Sequence, residues 1–126
     1  MKKIIIGNYE FENYPLSAYD GIELLADLMP YITAGYEKFQ GNASPIELMM
    51  SISSKMDGKT VTSLMSRVLA KTLYNKSPIN MADVEWNRKI HVLFDLTWQV
   101  LQEEYSDFLL ELGLKSPAPP EETSET

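Results

Sequence analysis

The chain has no cysteine, one histidine (His91) and only two arginines, Arg67 and Arg88. The first absence excludes disulfides, thiolate metal sites and cysteine nucleophiles, and it is compatible with a reducing compartment. A lone histidine without cysteine cannot assemble a histidine–cysteine zinc cluster. The scarcity of arginine accompanies an excess of acid: eleven basic residues stand against eighteen acidic ones, for a formal charge of -7. Nucleic-acid affinity rests largely on Lys and Arg neutralising phosphates, so no nucleic-acid partner is expected. Long apolar runs are missing too. "KKIII" opens like a signal segment, but Gly7, Asn8 and Glu10 end the run. Nothing reaches the length of a signal core or a spanning helix, and no membrane association is expected.

What is present suits a single folded domain. The 126 residues are 44% hydrophobic and 23% charged, enough apolar material for one core. That core is expected over residues 1–113. The remaining 114–126, containing "KSPAPPEETSET", is proline-rich and acidic with little to bury, so disorder is its expected state.

Along the chain, "KIIIGNYEF" reads as two short strands around a Gly7–Asn8 turn, or as one strand with a bend. A hairpin that short needs helices or another chain against it. A first helix is expected from Ser17, with Ser17 as cap and Asp20 in the acidic third position facing the free amides. Its apolar stripe reads Ile22, Leu25, Leu28 and Met29, and Pro30 marks a kink or boundary. Tyr31, Ile32, Tyr36 and Phe39 suggest a second short segment closed by Gly41–Asn42. "SPIE" starts the next helix, with Ser44 as cap, Pro45 at the first helical position and Glu47 completing a capping box. It carries Ile46, Leu48, Met49, Met50 and Ile52 and ends by "MDGK". Another helix starts near Thr60 and runs through Leu64, Met65, Val68 and Leu69 to Leu73, after which "YNKSPIN" reads as a loop. Asn80 and Asp83 are candidate caps for the following turn. The last helix spans roughly 84–112, with Ile90, Phe94, Trp98, Leu101, Tyr105, Phe108 and Leu112 at helical intervals and Gly113 as its stop. The fold class is therefore α+β and predominantly α-helical: a short N-terminal β-hairpin followed by four or five helices.

Candidate chemistry is sparse. His91 lies beside the aromatic stripe and reads as structural or incidental before it reads as a base. Glu103 and Asp107, four apart, share a helix face that suits a divalent ion or a basic partner, but a solvated acidic face is the preferred reading. "DGKT" at 57–60 lacks the glycine spacing of a phosphate loop. Ser17 has no adjacent base, and Asp20 is near it only because both occupy one turn, so capping explains both. No catalytic residue, cofactor or metal is assigned. The methionines are more suggestive. Met49, Met50 and Met65, with Met56, form an adaptable apolar stripe that fills a core or grips a helical partner. Trp98, Tyr105 and Phe108 share that ambiguity between core and interface. These six, Met49, Met50, Met65, Trp98, Tyr105 and Phe108, are the candidate protein-binding residues.

Three ordered stretches carry a resemblance: "YPLSAYDGIELLADLMP" after the opening β segment, "LMSRVLAKTLYNKSPINM", and "HVLFDLTWQVLQEEYSDFL". Over about residues 4–112 the chain resembles a tail assembly chaperone of long-tailed bacteriophages. The resemblance implies a noncatalytic protein that binds the tape measure protein and assists tail tube assembly. It also implies a further contact with the tail tube protein, a homo-oligomer, a place in the host cell cytoplasm and absence from the mature virion. A small helical oligomeric adaptor or regulatory protein without chaperone activity is the alternative.

Overall fold

The computed structural model describes the backbone of residues 1–39 and 44–111, and the side chains of these except 33–39, 45 and 108–111. The expected end of a helix at Gly41–Asn42, the stop at Gly113 and the tail 114–126 lie outside the described residues.

Strands β1 (Lys2–Ile6) and β2 (Tyr9–Asn13) pair antiparallel from Ile6↔Tyr9 to Lys2↔Asn13. The two-residue turn works because Gly7 takes φ +58, where a side chain would be strained. The hairpin does not stand alone. β3 (Thr72–Tyr74) adds to β2 and β4 (Ser77–Pro78) to β3, giving a four-stranded antiparallel meander in the order β1-β2-β3-β4. "YNKSPIN" is therefore not a plain loop but a second hairpin. Asn75 and Lys76 take φ 52 and 65, the double positive-φ turn that matches the twist of paired strands. Leu73 belongs to β3 and not to the preceding helix, because the β2 edge offers the backbone of 72–74 a ladder. Thr72 Oγ1 donates to Asn13 Oδ1 at 3.0 Å across this pairing, which gives each of these two buried polar side chains a partner.

Helix α1 (Ala18–Phe39) is continuous through Pro30, so of the kink or boundary expected there no boundary occurs, and the segment expected separately from Tyr31 belongs to the same helix. Pro30 is exposed, so the carbonyl it leaves unbonded one turn earlier faces water, while Leu28 and Ile32 anchor both sides of it in the core. The buried face is also rotated from the expected stripe. Gly21, Leu24, Leu28 and Ile32 point inward, and Ile22 is 67% exposed. At the start of the helix the Asp20 amide donates to Ser17 Oγ at 3.2 Å.

Helix α2 (Pro45–Ser53) opens on a reciprocal box: the Glu47 amide donates to Ser44 Oγ, and the Ser44 amide donates to Glu47 Oε1. Helix α3 (Gly58–Val68) begins two residues before Thr60. Asp57 caps it by accepting from the Thr60 amide at 2.8 Å. The span expected as one last helix divides into a 3-10 helix, Val84–Lys89, and α4 (Ile90–Glu111). α4 is the axis of the core, touching β1, α2 and α3. Val92, Leu93, Leu96, Trp98, Val100 and Leu101 are all buried, so apolar residues occur nearly all round it, as a central helix requires. Its one internal irregularity is Tyr105, at φ -119 and ψ 24. There the hydroxyl donates to the Gly21 carbonyl at 2.7 Å, and next to it Glu104 Oε1 accepts from the Leu16 amide. These two contacts fasten the end of α4 to the start of α1.

Candidate functional site

An aromatic cluster builds the back of the site. Tyr74 of β3 lies 5.3 Å from Phe11 of β2 and 5.5 Å from Trp86 of the 3-10 helix, the latter edge-on. Tyr9 joins at 5.9 Å from Tyr74, and Lys89 Nζ sits 5.2 Å above the Tyr9 ring. The cluster pins the 3-10 helix to the sheet through Trp86. In a helix of about three residues per turn, Val84 then faces away from that anchor.

Between this segment and α3 runs an open, mostly apolar groove of about 680 Å³. Met65, Leu93 and Trp86 form its floor; Met56 and Val61 form one wall, Ile90 and Phe94 the other. Val84 is 84% exposed and Ile90 48%, although both are large aliphatic side chains beside an apolar floor. Of the polar groups that line it, Asp83 Oδ1 accepts from the Glu85 amide at 3.1 Å and Thr62 Oγ1 donates to the Gly58 carbonyl at 3.1 Å, while the buried Ser53 Oγ has no hydrogen-bond partner among the described residues. Outside the groove lining, at the start of α3, the Thr60 amide beside Asp57 holds that carboxyl below the usual carboxylate range. The groove thus offers dispersion and dehydration to an apolar side chain, and Asp83, the charged residue of its lining, is engaged as a cap.

The candidate residues are distributed unevenly about this feature. Met49, Trp98 and Tyr105 are buried in the core. Met65 is buried as well, yet it is the groove floor. Met50 is 58% exposed on α2, away from the groove lining. The side chain of Phe108 lies outside the described residues. Ser17, Asp20, Ser44 and Glu47 sit at helix starts. Burial holds the Tyr105 phenol at about 12, with Glu104 reinforcing the rise and Arg67 opposing it.

Val84 and Trp86 escaped the sequence reading, and Ile90 entered it only as part of the apolar stripe of the last helix. Helical periodicity treats 84–89 as the first turns of the last helix, and only the 3-10 geometry turns Val84 outward.

Among the described residues the candidate groups named from the sequence are not brought together. His91 is exposed, Ser17 Oγ is occupied by the Asp20 amide, and Glu103 faces Lys2 Nζ at 3.9 Å. Among the described residues no group of three acidic or histidine side chains could hold a metal, and no helix is long and apolar enough to cross a membrane.

No curated protein and no solved structure gives a significant match to the chain. The model of a family described as phage tail assembly chaperone protein, TAC, matches residues 7–116, which take in β2, β3, β4, all four helices and the whole groove. The chain belongs to the phage tail assembly chaperone family.

Proposed function

We propose that this protein is a noncatalytic chaperone of tail assembly that binds the tape measure protein and seats apolar helical segments of it in the groove between α3 and the 3-10 helix. It holds that long chain soluble in the host cytoplasm, hands it to the assembling tail tube protein, and is absent from the finished virion. It works as a homo-oligomer.

The observation that carries this reading is the exposure of Val84 and Ile90 beside the apolar floor of Met65, Leu93 and Trp86. An amphipathic helix presents apolar anchors at three- and four-residue spacing, and such anchors suit a groove of this size. Each aliphatic side chain seated there contributes about 1.5–3 kcal/mol before the cost of association. Two or three of them supply about 3–9 kcal/mol against an association cost of about 4–15 kcal/mol, so a single seated segment binds weakly and is releasable when the tube closes. A formal charge of -7 keeps the free chaperone soluble.

The test is co-expression with the tape measure protein. The wild-type chain should raise its soluble yield and co-purify with it. The double variant Val84→Asp, Ile90→Asp should fold normally and lose both effects. Wild type that neither solubilises nor co-purifies with that protein defeats the chaperone reading. Binding that survives the double substitution moves the site elsewhere.

A further inference from the structure

The two edges of the sheet are unlike. β4 is two residues long and ends in Pro78, which has no amide to donate, so that edge is closed to further pairing. β1 is five residues long, has no proline, and among the described residues has no strand on its outer side. Its register fixes which backbone groups are free. Ile6 and Tyr9 flank a two-residue turn, so they form a hydrogen-bonded pair, as do Ile4 with Phe11 and Lys2 with Asn13. The amides and carbonyls of Lys3 and Ile5 therefore point outward. Ile5 is 62% exposed, an unusual place for a large aliphatic residue.

We propose that β1 pairs antiparallel with β1 of a second copy, giving a two-fold dimer with a continuous eight-stranded sheet. This rests on the homo-oligomer in the functional reading above and names its surface. A second copy fits better than an unrelated strand because the edge is complementary to itself. With Ile4 on the two-fold axis, Lys3 of each chain stands opposite Ile5 of the other, and their free amides and carbonyls face as reciprocal pairs. On the solvent face the Lys3 stem covers the other copy's Ile5, and beyond that Ile5 lies its cross-strand neighbour Glu10. Lys3 Nζ already meets Glu10 of its own chain at 3.2 Å, so in the dimer each ammonium lies between two carboxylates. A five-residue edge buries less than a standard stable interface does, so the dimer is weak and concentration-dependent.

Two substitutions separate the dimer from the monomer fold. Ile5→Pro removes only an outward amide and leaves the β1–β2 ladder intact. Ile5→Lys faces Glu10 within its own chain but Lys3 across the dimer. Sedimentation of the full chain over a concentration series should give a monomer–dimer equilibrium for wild type. Each variant should raise the dissociation constant tenfold or more, with circular dichroism and melting temperature unchanged. A monomeric wild type, or variants that dimerise as tightly, overturns the proposal. If Ile5→Lys leaves the oligomer intact but abolishes co-purification of the tape measure protein, the edge serves that partner and the homodimer is wrong. Conversely, Val84→Asp with Ile90→Asp should lose the partner and keep the dimer, so the two readings fail separately.

Discussion

Tyr105→Phe removes one oxygen from the joint between α4 and α1 and changes how stability depends on pH. At neutral pH the hydroxyl donates to the Gly21 carbonyl at 2.7 Å inside the protein. The carbonyl is in the body of α1 and keeps its own helical amide, so losing the tyrosine donor costs about 1 kcal/mol. The alkaline behaviour is more diagnostic. Burial, with Glu104 adding to it, pushes the folded-state phenol to about 12, against 10 for an ordinary tyrosine. Below pH 10 both states are protonated and the stabilisation is fully present. Between 10 and 12 the unfolded chain ionises while the folded one does not, so stability falls as pH rises. At ~1.4 kcal/mol per unit, two units give a loss of about 2–3 kcal/mol. Urea unfolding of wild type and Tyr105→Phe at intervals from pH 8 to above 12 isolates this, since the two chains differ in that one oxygen alone. Wild type should lead by about 1 kcal/mol at pH 8, and the curves should converge and cross above pH 10. Parallel curves throughout that range would refute the assignment of a buried, neutral phenol.

Lys76→Gly should stabilise the protein by about 0.5–1 kcal/mol, because Lys76 holds φ 65 in an exposed turn where only glycine is unstrained; thermal melts report it. Ser44→Ala should cost about 1 kcal/mol in urea unfolding through loss of the reciprocal box with Glu47, and unchanged stability would mean the box contributes nothing. Trp98→Ala should cost about 3–5 kcal/mol, since its ring is 1% exposed; a soluble variant melting like wild type would place that ring outside the core.

The local parts of this protein are written in its sequence because their causes are local. Gly7–Asn8 between apolar runs marks a two-residue turn or a bend in an opening β segment, and the long periodic run from Ile90 specifies α4, so the predominantly helical α+β class follows without tertiary information. The outcomes that depended on neighbours did not follow. Thr72–Tyr74 has little strand signal of its own and becomes β3 because the β2 edge is there to pair with. Pro30 sits inside α1 because packing of Leu28 and Ile32 holds the helix on both sides of a missing bond. Gly21 points inward, and Ile22 outward, because Tyr105 arrives from 84 residues away to bond the Gly21 carbonyl. The groove belongs to this second class. Its lining comes from α3, the 3-10 helix and α4, and Val84 faces solvent only because Tyr9, Phe11 and Tyr74 capture Trp86. The sequence by itself determined the opening β segment, the central helix and the exclusion of cysteine chemistry. Only the tertiary structure decided which apolar residues stay outside, since that depends on which long-range partners claim the others.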